Sequence, residues 1–101
     1  MKLFLSILFL VSFSTVKAQQ FIDVASTNGI QKFYGSPSLF GGGVSFCDFN
    51  GDGLDDLSFA SAAGDSLSFY QNNGNGFTKM DFGISDTNEV KQINWVDVDN
   101  D

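Results

Sequence analysis

Asp48-Phe49-Asn50-Gly51-Asp52-Gly53-Leu54-Asp55-Asp56-Leu57 sets oxygen-bearing side chains at alternate positions around a stretch that two glycines force to turn. Numbered from Asp48, side-chain oxygens stand at positions 1, 3, 5 and 9 (Asp48, Asn50, Asp52, Asp56), with Gly53 at position 6 and the Leu54 carbonyl at position 7. A short loop that wraps a hard cation needs this order, with oxygens on every second residue and a glycine at the sharp bend. Crowded carboxylates repel one another unless a cation sits among them. They favour calcium, which tolerates flexible all-oxygen coordination, over magnesium, which demands a tight octahedron; zinc and copper would want His or Cys. The expected cofactor is Ca2+, held by Asp48, Asn50, Asp52, Leu54 and Asp56, with Asp55 facing solvent or shaping the turn. Its expected role is structural rather than catalytic, since it ties the connection between two strands.

The flanks narrow the choice of loop. An EF-hand carries a bidentate Glu at position 12 and lies between helices, but position 12 here is Phe59. A dockerin-type loop leads into a helix, and Leu57-Ser58-Phe59-Ala60 reads as a strand. A metal-free Asn-Gly-Asp-Gly hairpin is the other reading of the same residues.

Strand signals dominate beyond the loop. Brief apolar segments alternate with Gly, Asn, Asp and Ser, giving strand candidates at 44–49, 57–60, 67–71, 77–82 and 90–98. Asn50-Gly51-Asp52-Gly53, Ala63-Gly64-Asp65 and Asn72-Asn73-Gly74-Asn75-Gly76 supply turn chemistry between them. No segment after the leader holds a 3.6-residue apolar stripe over three turns, so the predicted class is all-β. Val44-Ser45-Phe46-Cys47 and Ile93-Asn94-Trp95-Val96 are apolar on both sides and predict inner strands, whereas 77–82 alternates and predicts one exposed face.

The chain also echoes itself. Val44 to Asp52 aligns with Ile93 to Asp101 at an offset of 49 residues, so that Asp97, Asp99 and Asp101 begin a second, incomplete site. A period of roughly 40–50 residues in short strands is the range of propeller blades.

These residues resemble the FG-GAP and VCBS repeats of integrin α-subunit heads and of secreted bacterial proteins. Phe40-Gly41-Gly42-Gly43 is similar to the glycine-rich lead-in of that family; Asp48, Asn50, Asp52 and Asp56 match its metal-ligand pattern, and Asp55-Asp56-Leu57 its D-D-L. The segment from Phe21 to Ile30 resembles the one that precedes the first repeat in secreted bacterial members. The resemblance implies a β-propeller, commonly seven-bladed, with calcium in the hairpin loop between the first two strands of certain blades. It also implies a module for adhesion or for binding proteins or glycans at the cell surface. The second motif departs from the pattern in lacking its Gly and its fourth ligand.

The amino terminus gives the compartment. Lys2, the apolar run from Leu3 to Phe13 and the ending Val16-Lys17-Ala18 have the form of a secretory signal peptide. The run is well short of the ~20 residues that span a bilayer. The expected organisation is a signal peptide over 1–18, a lead-in segment over 19–39, a first complete four-stranded repeat over 40–89 and the truncated start of a second over 90–101. A single blade leaves its faces without neighbours, which predicts that the chain is the amino-terminal piece of a longer propeller, secreted or held at the cell surface.

After cleavage, three lysines would face twelve acidic residues, a net charge of −9. Nucleic acid and insertion into or binding at an anionic membrane are excluded as partner classes, because both call for basic patches. A lone cysteine, Cys47, permits no internal disulfide and is expected to pack as a small buried hydrophobe. With neither His nor Arg in the chain, the usual general base and carboxylate clamp of an enzyme are missing, and no catalytic residue is assigned. The alternative function is the non-catalytic propeller portion of a secreted polysaccharide-degrading enzyme. Phe33, Tyr34, Tyr70 and Trp95 are the aromatics to inspect for a recognition surface, with strand core as the competing role.

Overall fold

Alternating residues from Val44 onward build a meander. The computed structural model describes residues 18–35 and 41–99. Among these, four strands form one antiparallel sheet in the order β1-β2-β3-β4: β1 Val44–Cys47, β2 Asp56–Phe59, β3 Ser68–Asn72 and β4 Phe77–Met80. Register follows from the pairs Phe46 with Leu57, Leu57 with Tyr70, and Tyr70 with Lys79. One face therefore carries Val44, Phe46, Leu57, Phe59, Ser68, Tyr70 and Lys79, and the other carries Ser45, Cys47, Asp56, Ser58, Phe69 and Met80. The loop 48–55 and the β3–β4 hairpin lie at one end of the sheet, and the β2–β3 connection lies at the opposite end.

The core sits on β2 and β3, where Leu57, Ser58, Phe69 and Tyr70 are buried. β1, expected as an inner strand, is instead the sheet edge, with Phe46 66% exposed and Cys47 only half-buried. Apolarity on both sides marked it as buried, but only one of its edges has a strand to pair with. β4 is the other edge and exposes adjacent residues, Thr78 and Lys79, rather than one face.

Segments outside the sheet cover each face. On the Tyr70 face the lead-in crosses the strands: the Tyr70 hydroxyl donates to the Gln31 carbonyl at 3.1 Å, and the Phe59 and Tyr70 rings meet edge to face. A turn at 25–29 seats this segment on the β4 edge, where the Phe77 N–H donates to the Asn28 carbonyl at 2.8 Å. Gly29 closes that turn at φ +86°, and a side chain there would run into the Phe77 carbonyl.

The opposite face is covered by the predicted fifth strand, which is not a strand. Residues 90–98 form no ladder; the Val90 N–H donates to Ser61 O and the Lys91 carbonyl accepts from Gly43 N–H, after which the chain turns inward. Packing overrides the apolar pattern because Trp95 finds a site on the sheet face. It stacks on Phe49 at 5.4 Å, meets Phe69 and Phe82 edgewise, and donates its indole N–H to Ser58 Oγ at 2.9 Å. Tyr70 and Trp95, read as alternatives between recognition and packing, are packing residues. Among the described residues no helix is long and apolar enough to cross a membrane.

Trp95→Ala should cost about 2 kcal/mol, below the range for fully buried aromatics because the residue is 41% exposed. A denaturant titration with an unchanged m-value checks this, and a loss under 1 kcal/mol would deny the Trp95 cluster its role as the second cover.

Candidate metal centre

The loop between β1 and β2 is wound around Asp48. Its Oδ1 accepts the N–H groups of Gly51 (2.8 Å) and Asp52 (3.0 Å), and its Oδ2 accepts that of Gly53 (2.7 Å). Gly53 takes φ +86°, which aims its N–H back at the start of the loop. The Gly53 N–H above all, with those of Asp52, Gly51 and Asn50, holds the Asp48 carboxyl below its ordinary value of 3.8. Asn50 and Asp52 complete the turn: Asn50 Oδ1 accepts the Asp52 N–H at 3.0 Å, Asn50 Nδ2 donates to Asp52 Oδ2 at 2.9 Å, and Asp52 Oδ1 accepts the Leu54 N–H at 2.9 Å.

Asp56 stands apart from this group. It is fully buried at the start of β2, where Oδ2 accepts the Phe49 N–H at 3.1 Å and Oδ1 accepts the Asn72 N–H at 2.7 Å. Asn72 returns a bond from its side chain to the Asp55 carbonyl at 3.1 Å. The carboxylate therefore ties the loop to the end of β3. Sequence reasoning placed Asp56 in the ligand set and missed this second duty; the only local signal was Asn72, read as turn chemistry alone.

The fit to calcium divides along the same line. Every donor proposed from the sequence is an oxygen, and a carboxylate oxygen that accepts one N–H, as Asp48 Oδ2 does, keeps a second lone pair for a cation, whereas Asp48 Oδ1 already accepts two. Asp48, Asn50 and Asp52 share one exposed turn, with the Leu54 carbonyl next along the chain. Among the described residues, however, no three acidic, His or Cys side chains come together as a metal cluster, and the Asp56 oxygens face Phe49 and Asn72. The loop fits calcium in donor type, order and winding, with Asp56 bracing its end. Of the second motif, Asp97 and Asp99 lie in exposed irregular chain, and Asp101 and Phe40 lie outside the described residues.

The model for the FG-GAP-like repeat matches residues 48–101, more than half of the chain, beginning at Asp48 itself. The chain belongs to the FG-GAP-like repeat family. Its four-stranded antiparallel meander is accordingly a β-propeller blade, all-β as expected. No curated protein and no solved structure matches it. Within the FG-GAP blade, the sequence motif and the geometric centre of the β1–β2 loop coincide at Asp48.

Two outcomes follow from this geometry. Asp56→Ala strands two part-buried N–H groups and should cost about 2–3 kcal/mol with or without calcium, measured by chemical denaturation in each condition. Asp48, whose folded carboxyl is held low, contributes stability that is present above its ordinary 3.8 and is lost as pH falls through the lower folded value. Asp48→Asn should therefore flatten the stability profile below pH ~4 and leave its slope at neutral pH unchanged. An acid limb identical to that of the unaltered chain would contradict the assignment.

Proposed function

We propose that this FG-GAP blade belongs to a secreted calcium-binding repeat protein that acts in adhesion, or in binding proteins or glycans, at the cell surface. The supporting observation is the winding of the β1–β2 loop around Asp48, with the amides of Gly51, Asp52 and Gly53 turned onto its carboxylate. Asp48, Asn50, Asp52 and the Leu54 carbonyl would hold the ion, with Asp56, read from the sequence as a ligand, bracing the end of the loop. When bound, calcium supplies charge neutralisation and an oxygen shell that stiffens the strand connection. The chain's own residues do the rest: the backbone amides orient Asp48, the Asn50 and Asp52 turns keep the bend short, and Asp56 anchors its end to β3.

The role proposed for the ion is structural, because it would sit where two strands of one blade join. Extracellular calcium modules bind at about 10⁻⁴ to 10⁻³ M, so such a site fills in calcium-rich fluid. Export is supported by the leader over 1–18, of which residues 1–17 lie outside the described residues.

Calcium at about 2 mM should raise the melting temperature by roughly 3–10 °C, from the mass-action gain of about 0.6–1.8 kcal/mol on a domain of this size. Asp52→Ala should abolish that rise and leave the melting temperature in chelator nearly unchanged. Asp48→Ala is the less selective variant, since Asp48 also anchors three loop amides. An equal calcium-induced rise in Asp52→Ala and the unaltered chain would sink the proposal.

A further inference from the structure

At the end of the sheet opposite the calcium loop, the lead-in and the β2–β3 connection enclose an open cleft of about 490 Å³. Its floor is Ser68 and Lys79, which share the Tyr70 face of β3 and β4; its walls are Gln31, Lys32 and Phe33 on one side and Asp65 on the other. The sequence explains why these residues meet. Tyr70 pins the lead-in at Gln31, and the next residue, Lys32, reaches the turn at Gly64, donating from Nζ to Asp65 Oδ2 at 3.0 Å and to the Ser66 carbonyl at 3.1 Å. The side chain of Lys32 is 8% exposed, so its ammonium is built into the wall rather than free on the surface.

Charge distribution singles out this cleft. The acidic chain has three lysines beyond its leader, and two of them, Lys32 and Lys79, line the same depression. Lys32 is paired with Asp65, whereas Lys79 has no ion pair among the described residues. The cleft thus carries a net charge of +1, with Lys79 acting on the Asp65 carboxylate without pairing to it, in a chain that is otherwise negative. An ammonium has three donors, and Lys32 uses two of them on Asp65 and Ser66, leaving one. Phe33 is 83% exposed at the rim, a bare ring beside the charges.

We infer that this cleft is a binding site for a carboxylate-bearing sugar of the hexuronate class. A single carboxylate matches the one unpaired ammonium, and Asp65 opposes ligands of higher negative charge such as phosphate esters. Asp65, Gln31 and Ser68 offer acceptors and donors for ring hydroxyls. The Phe33 ring offers an apolar platform for the C–H face of a sugar. A volume of about 490 Å³ lies within the range of small-ligand sites and accommodates one or two sugar residues. The site deepens the glycan-binding reading above but uses none of the residues proposed for calcium.

The test is calorimetric titration of the full chain with digalacturonate and with its methyl ester, in calcium-stripped and calcium-containing buffer. The free acid should bind saturably, and the ester about tenfold more weakly or worse, the loss expected when a charge-assisted bond is removed. Lys79→Gln should weaken free-acid binding by at least about tenfold and Phe33→Ala measurably, both with unchanged melting temperature because both side chains are exposed. Asp52→Ala should bind the sugar like the unaltered chain, so that failure of the calcium proposal and failure of this one are separable. Equal binding of acid and ester, undiminished binding by Lys79→Gln, loss of binding in Asp52→Ala, tighter binding of a glutamate-rich peptide, or no saturable binding would each overturn the assignment.

Discussion

The blade depends on one buried carboxylate. Asp56 accepts an N–H from the loop that precedes it and an N–H from the end of β3, so a single side chain joins three consecutive pieces of backbone. Removing it from water is costly unless its oxygens are satisfied, and both are. The consequence is a fixed distance between the β1–β2 loop and the β3–β4 hairpin. Asp48 performs the matching task inside the loop, gathering three amides on an exposed turn. One acid therefore sets where the loop ends and the other sets how it is wound, and a cation at the loop would act on a bend that the backbone already holds.

Around that joint, a four-stranded meander has to bury two faces with little chain. The Tyr70 face is closed by the lead-in and the Trp95 face by the chain after β4. Each cover is fixed by an aromatic side chain with one polar bond, Tyr70 to Gln31 and Trp95 to Ser58. Rings supply the area and the hydrogen bond supplies the address, which is why packed Tyr and Trp fix register better than an aliphatic side chain would. The edge at β1 is left with Val44 and Phe46 exposed, consistent with a repeat whose relatives stack blade against blade.

Much of this was legible in the residues. Turn-forming Asn, Asp and Gly clusters bracketed four of the strands to within two residues, because hairpin geometry is decided locally. The ligand spacing from Asp48 located the loop for the same reason. What was not legible depended on distant partners. Ile93-Asn94-Trp95-Val96 has the composition of a strand, yet it lies across a sheet because Ser58 and Phe49, far away in sequence, accept Trp95 there. Asp56 fits the ligand pattern as written, and only the position of Asn72 reveals that its oxygens serve the backbone. Lys32 and Asp65 carried no signal of pairing, since 33 residues separate them.

The two ends of the sheet divide its chemistry by sign. At the loop end, Asp48, Asp52, Asp55 and Asp56 concentrate negative charge on one connection, and at the other end Lys32 and Lys79 outnumber Asp65. Opposite charges placed at one point would have paired and cancelled; separated by the length of the strands, they remain available to ligands of opposite kinds. The Debye length at physiological ionic strength is about 8 Å, so charges further apart than that are largely screened from one another. A four-residue strand at ~3.3 Å per residue already exceeds this length. Occupation of the loop by a cation would then change the stiffness of the blade more than the affinity of the cleft, and the meander that links them would act as a spacer that keeps the proposed ion site and the proposed recognition site independent.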